Sequence, residues 1–220
     1  LGMVVLGYDS VYPRQYLELW SANAELRQRN QLHVKDPSPQ LLAVAGANLM
    51  LTSDPAPSGW ETITTSGDWK LAKKIDAQPA IHAVQKLIPE QNPSQLSAID
   101  PSTTALVAGD LPAVDVNATT AVAVIQRTAT KLQLHITSSG STAVVTNLQS
   151  YPGWRLSIDG HDAGAAQLNV NHAFLGATVD KGTHTLTFRY APQSMIIGLV
   201  ISLASLLLLL IVGWLVPKIK

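Results

Sequence analysis

Side chains able to do chemistry gather at two places in this 220-residue chain. The first is Tyr8, Asp9, Tyr12 and Arg14. An arginine presents a planar fork of N–H donors that suits phosphate oxygens, and a nearby carboxylate can accept from sugar hydroxyls. These residues could therefore meet a phosphate or a sugar. They suit a helix entrance better, with Asp9 or Ser10 as the cap and the tyrosines packed on the next layer. No second acidic residue beside Asp9 completes an acid–base pair. The second place is Trp154, which follows Tyr151-Pro152-Gly153. Two aromatic rings across a tight turn can stack on a sugar ring or close one end of a β core.

Other chemistry finds little support. The histidines are His33, His82, His135, His161, His172 and His184. None has a partner at HExxH-type spacing, so zinc is not expected. His161 beside Asp162, and His172 beside Asn171, read as loop side chains. A G-x-S-x-G elbow, a phosphate-binding glycine loop and a dinucleotide fingerprint are all absent. With 15 basic and 15 acidic residues the formal net charge is zero, which gives nucleic acid no electrostatic footing. The chain has no cysteine, so disulfides and thiol chemistry are excluded.

The elements that must position these residues follow from pattern. Met195 to Val216 is uncharged and almost wholly apolar. A helix of that length reaches about 33 Å, enough for a ~30 Å hydrocarbon layer. The lipid bilayer is the first partner expected, with Trp214 at the interface. Lys181 and Arg189 precede the helix while Lys218 and Lys220 follow it, so flanking charge leaves orientation open. No cleavable signal precedes the soluble region, and the chain is expected to be the C-terminal piece of a longer polypeptide.

The fold expected is mainly β with some α: a mixed α/β N-terminal segment, an antiparallel β-sandwich, then one C-terminal transmembrane helix. Residues 1–55 read as a helical and short-strand segment. Tyr16, Leu19, Trp20 and Asn23 recur at helical spacing behind Pro13. Ser38-Pro39 opens a second helix that stops at Gly46. Residues 56–118 read as a hairpin, turning at Ser66-Gly67-Asp68, and a Pro-rich connection with at most short strands such as Ile81–Val84. Residues 119–192 read as the β-sandwich, with strands Ala121–Arg127, Lys131–Thr137, Thr142–Leu148, Trp154–Ile158, Gln167–Val170, Phe174–Val179 and Thr183–Tyr190 and turns at Ser139-Gly140, Asp159-Gly160 and Lys181-Gly182. Alternation from Lys131 to Ile136 places Leu132, Leu134 and Ile136 on one face. Residues 195–216 form the membrane helix and 217–220 a short tail.

Several of these strings belong together. Tyr151-Pro152-Gly153-Trp154, Asp159-Gly160, Gly182-Thr183-His184, Phe188-Arg189-Tyr190-Ala191-Pro192 and Gly198 with Ile201-Ser202 resemble the C-terminal end of the YfhO family of bacterial multi-spanning membrane proteins. Gly7 to Tyr16 with Glu18-Leu19, and Leu41-Leu42 through Gly46 to Leu51-Thr52, resemble earlier segments of the same family. Asp68–Ile75 followed by Pro79–Val84 fits loosely, with Pro79-Ala80 where the family pattern has Pro-Arg. The resemblance runs from about residue 7 to 205 and is thin in its middle third.

That resemblance implies a GT-C-type glycosyltransferase architecture. Such a protein moves a sugar from a polyprenyl-phosphate carrier to a cell-envelope polymer, lipoteichoic acid being one acceptor class. It implies residues 1–190 on the outer face and a cytoplasmic C-terminus. Its catalytic acidic residue lies in an early outer loop near the N-terminal membrane helices of the same polypeptide, and any divalent metal belongs to that parent, so no catalytic residue, cofactor or metal ligand is expected here. The partners implied are the bilayer, those upstream helices and a cell-wall glycopolymer. Tyr8, Asp9, Tyr12, Arg14 and Trp154 are the substrate-binding candidates. Two rival readings stand beside this one: a non-enzymatic, membrane-anchored surface binding module, and a tail-anchored cytosolic protein.

Overall fold

The computed structural model describes residues 14–27, 33–35 and 37–215; Tyr8, Asp9, Tyr12 and the tail 217–220 lie outside them. The chain runs through α1 (Arg14–Asn23), β1 (Glu25–Arg27), β2 (His33–Lys35), α2 (Pro39–Ala45), β3 (Leu49–Thr52), β4 (Trp60–Ser66) and β5 (Trp69–Lys74). There follow β6 (His82–Val84), β7 (Lys86–Pro89), a 3-10 turn at Pro93–Ala98 and β8 (Thr104–Ala108). Then come β9 (Thr120–Arg127), β10 (Lys131–Ser138), β11 (Thr142–Gln149), β12 (Trp154–Ile158) and β13 (His161–Asp162). Last are β14 (Gln167–Val170), β15 (Phe174–Val179), β16 (Gly182–Tyr190) and α3 (Gln193–Leu215).

The expected mainly-β architecture is present. A five-stranded sheet, ordered β13-β12-β16-β10-β9, faces a six-stranded sheet ordered β6-β11-β15-β14-β8-β7. Pairing is antiparallel throughout except between β7 and β8. Alternation sets the packing. Leu132, Leu134 and Ile136 of β10, Leu156 of β12 and Leu186 and Phe188 of β16 turn inward. They meet Val144 of β11 and Leu175, Ala177 and Val179 of β15. The residues between them on the outer sheet face solvent, as a one-sided sheet requires.

The six-stranded sheet is covered on both faces, and its sequence shows it. β11 is buried at six of its eight positions and β15 at five of six, so neither alternates as a one-sided strand does. Its second face carries Ala143, Val145, Val170 and Phe174. Against these pack Tyr16, Leu19 and Trp20 of α1, Leu41, Leu42 and Val44 of α2, Met50 of β3 and Ala72 of β5. The result is a helix layer, a central sheet and an outer sheet.

Local signals fix the helices. The face expected of α1, Tyr16, Leu19, Trp20 and Asn23, is the one it buries. Ser38 caps α2 by accepting from the Leu41 N–H at 3.1 Å, with Pro39 at the first helical position. Gly46 ends it at φ 66°, where the Ala47 N–H reaches the Leu42 carbonyl at 2.9 Å. The prolines of residues 76–118 fall where strands tolerate them: Pro89 closes the sheet-edge strand β7, and Pro93 opens the 3-10 turn.

β16 passes to α3 through only Ala191 and Pro192. α3 has 23 residues, about 34 Å at the helical rise. No Asp, Glu, Lys or Arg occurs in it, and along Gln193–Gly213 none of it is buried within the protein. Two of its three serines, both in the middle of the helix, are satisfied internally: Ser202 and Ser205 donate to the Gly198 and Ile201 carbonyls, each at 2.8 Å. A long helix with exposed apolar side chains and its central hydroxyls bonded to its own carbonyls fits hydrocarbon rather than water.

Candidate functional site

Arg14, the sequence-predicted site residue nearest the described N-terminus, opens a chain of charged groups. Its Nε donates to Glu18 Oε1 at 2.7 Å, one helical turn on. Glu18 Oε2 lies 3.1 Å from His172 Nε2. The other ring nitrogen, Nδ1, meets Glu90 Oε1, and the His172 N–H donates to Glu90 Oε2 at 3.1 Å. Carboxyl oxygens thus face both ring nitrogens of His172, and the groups run in the order Arg14, Glu18, His172, Glu90. Arg14 and His172 together hold the Glu18 carboxyl below its ordinary value, the Arg14 hydrogen bond contributing most.

The fold assembles this chain from three directions. Glu18 lies on α1 and Glu90 just past β7; His172 sits in the β14–β15 turn at φ 70° after Asn171 at φ 49°. Asn171 anchors that turn: its Oδ1 accepts from the Leu106 N–H at 3.0 Å, and its own N–H donates to the Leu106 carbonyl at 2.8 Å. The sequence reading of His172 as a plain loop side chain missed this, because its partners lie 154 and 82 positions away. With Glu90 only 7% exposed, His172→Ala strands a buried carboxylate. The expected loss is about 2 kcal/mol of stability by urea unfolding. Adding Glu90→Leu should recover part of it, since removing both partners costs less than orphaning one. A double variant less stable than the single one would refute the pairing.

Trp154 lies at the other candidate place, where the sandwich hands over to α3. It pairs with Tyr190 across β12 and β16, ring centroids 5.3 Å apart. One side of the indole packs on the inter-sheet core. With Tyr151, Tyr190 and Asn147 it also lines a cavity of about 400 Å³ open to solvent. Aromatic walls with an amide at the rim could accept a sugar ring or another flat, hydroxylated group. Gly153 holds this end closed. Its carbonyl accepts from the Ala191 N–H at 2.8 Å, and a Cβ on it would stand 2.8 Å from Pro192 Cα. Arg14 and Trp154 thus occupy different layers of the protein. Among the described residues no three His, Asp or Glu side chains converge as metal ligands.

Residues 111–202 match the model of the family described as bacterial membrane protein YfhO. Over this stretch the chain is similar to YfhO-family proteins. No curated protein and no solved structure matches it. The YfhO match takes in β9 to β16, the Tyr151–Trp154 turn and the first part of α3. It therefore covers the whole outer sheet and the strand-to-helix handover, and it includes His172 of the charge chain but neither of its carboxylate partners.

A second ion pair fastens the far end of the sandwich. Asp159 and Gly160, at φ 51° and 83°, make the two-residue turn between β12 and β13 that the Asp-Gly pair predicts. Asp159 accepts from the Thr185 N–H at 2.7 Å and from His184 Nδ1 at 2.7 Å. These two donors, Thr185 first, hold its carboxyl below the ordinary value. His184 is raised in turn, chiefly by its hydrogen bond to Asp159. The lowered carboxyl stabilises the fold above its unfolded value near 3.9 and stops doing so as pH falls through the depressed value. The raised imidazole stabilises it below its unfolded value near 6.5 and stops as pH rises through the elevated one. The melting-temperature gap between the native chain and His184→Gln is thus expected to be widest between about pH 4 and 6.5. A gap independent of pH from 3 to 9 would contradict the pairing.

Proposed function

We propose that this chain is the extracytoplasmic region and last membrane anchor of a multi-spanning YfhO-like protein that glycosylates a cell-envelope polymer such as lipoteichoic acid. The observation that carries this reading is the family match across the sandwich and its handover to an apolar helix. Residues 1–190 stand outside and the C-terminus inside. The sugar arrives on a polyprenyl-phosphate carrier, and an early outer loop near the upstream membrane helices supplies the catalytic carboxylate. This chain shapes the acceptor side: the Tyr151, Trp154 and Tyr190 end faces the bilayer surface, where a lipid-linked acceptor begins. Tyr8, Asp9, Tyr12 and Arg14 serve the same side as polar contacts.

The test compares the intact polypeptide with this chain alone. Cells making the intact protein with Trp154→Ala should carry less sugar on the polymer at equal protein level, while the isolated chain turns over no polyprenyl-phosphate sugar. Turnover by the isolated chain would end the proposed division of labour. An undiminished polymer sugar content in the Trp154 variant would end the acceptor-side role. Protease added outside intact cells should digest the sandwich; protection would reverse the orientation.

A further inference from the structure

At its membrane end the outer sheet carries three cations side by side. Register places Lys131 of β10 opposite Arg189 of β16, and Arg189 opposite Arg155 of β12. Their inward neighbours Leu132, Phe188 and Leu156 are buried, so all three point to the outer, solvent face. Like charges directly opposite one another on a sheet are unfavourable, and among the described residues no carboxylate offsets them. Among the described residues Arg155 and Arg189 have neither an ion-pair nor a hydrogen-bond partner. Lys131 Nζ donates only to the neutral Gln126 and Gln133 Oε1 atoms, at 2.9 and 3.2 Å. Asp162, opposite Ser157 and farther from α3, is turned to the Gly164 N–H at 3.0 Å.

Position says what should lie against this row. Arg189 is four residues before the start of α3, at most about 14 Å of extended chain. With α3 in hydrocarbon, that distance reaches the headgroup layer. Beside the cations Thr128, Thr130, Ser157 and Thr187 bring hydroxyls to a shallow depression of about 530 Å³ that Lys131 and Arg189 also line. Guanidinium forks and hydroxyls together suit phosphate oxygens.

We propose that Lys131, Arg155 and Arg189 form a headgroup-binding row that holds the outer sheet against phosphates of anionic phospholipids in the bilayer that α3 spans. This rests on the membrane reading of α3 but not on sugar transfer. The row sets the sheet's tilt on the membrane, and with it the direction in which the Trp154 cavity opens.

The absence of cysteine permits a single probe. Ser157→Cys carrying an environment-sensitive fluorophore would be followed with the whole chain in nanodiscs, as phosphatidylglycerol replaces phosphatidylcholine. Emission should shift with anionic content in low salt and revert in 1 M salt, where screening is nearly complete. Each single Gln replacement in the row should raise the anionic fraction at half-change about fivefold, and Lys131→Gln/Arg155→Gln/Arg189→Gln should abolish the shift. The triple variant should melt no lower than the native chain, because it loses repulsion. Retention of its β-sheet circular dichroism shows that a lost shift is not unfolding.

An unchanged response in the triple variant would overturn the proposal. So would an equal shift produced by inorganic phosphate, or by a soluble polyanionic glycopolymer, over neutral nanodiscs; these outcomes would assign the row to a soluble ligand. Co-purification of the chain with nanodiscs reads α3 insertion separately, so failure of the anchor and failure of the row are distinguishable.

Discussion

Gly153→Ala is expected to destabilise the sandwich by about 3 kcal/mol, the upper end of the range for forced backbone strain. Two independent reasons add. At φ 115° the backbone lies where side chains other than glycine are rarely accommodated. The new methyl would also meet Pro192 at 2.8 Å from Cα, 3.0 Å from Cβ and 3.1 Å from N. These are ring and backbone atoms, with no flexible side-chain end to give way. Relief requires the Tyr151–Trp154 turn to separate from the β16–α3 handover. That would break the Ala191 to Gly153 hydrogen bond and loosen Trp154 on Tyr190. Thermal unfolding in detergent should show a lower midpoint, and the Trp154 end should exchange amide hydrogens faster. Gly160→Ala makes a useful contrast. It keeps the positive-φ cost, but nothing lies within 4 Å of its added Cβ, so it should cost about 1 kcal/mol. Equal losses at the two sites would remove the close approach of Gly153 to Pro192 as a cause.

Phe188→Ala should cost about 4 kcal/mol, within the span seen when a large buried aromatic is truncated. The ring is fully buried between the sheets, paired with Leu132 on one side and Leu156 on the other. It stands two residues before Tyr190, so the cavity would open beside the membrane end. For a domain whose whole stability is of order 5–15 kcal/mol, the loss leaves little margin. Phe188→Leu should cost less than about 1.5 kcal/mol, since most of the volume is retained. Val124→Ala on the exposed edge strand β9, 52% exposed, should stay within about 0.5 kcal/mol. Chemical denaturation of the three variants checks the ranking. A Val124 loss as large as that of Phe188 would place the core elsewhere.

Where one physical signal dominated, the sequence could be read to the residue. β12, β14 and β15 match their expected spans because turn residues bracket them tightly. In β10 strict alternation foretold which side chains face inward. The stop at Gly46 followed from the need for a left-handed cap. β6 falls within the short strand expected at Ile81–Val84, but β7 and β8, four and five residues long, are too short for a period to show, and the prolines around them masked the rest. Their place in the six-stranded sheet is decided by tertiary pairing with β11 and β14.

The functional groups were less legible for a related reason. Arg14 was visible as a candidate, and Glu18 one turn later could have been paired with it by helical spacing alone. Glu90 and His172 could not, because only the packing of α1 against the β14–β15 turn brings them there. The cationic row is likewise invisible without register: Lys131, Arg155 and Arg189 become neighbours only after three strands align. Side-chain type marks a candidate, but sheet topology decides its company.

The central claim is that α3 lies in lipid with the sandwich resting on the surface above it. Single spin labels at Leu203→Cys and His135→Cys, with the chain reconstituted in bilayers, test it most directly through collision with oxygen and with a water-soluble nickel complex. Leu203, midway along Gln193–Gly213, should be reached by oxygen and shielded from nickel, while His135, exposed on the outer sheet, should be open to nickel. A Leu203 label as accessible to nickel as the one at His135 would contradict the account.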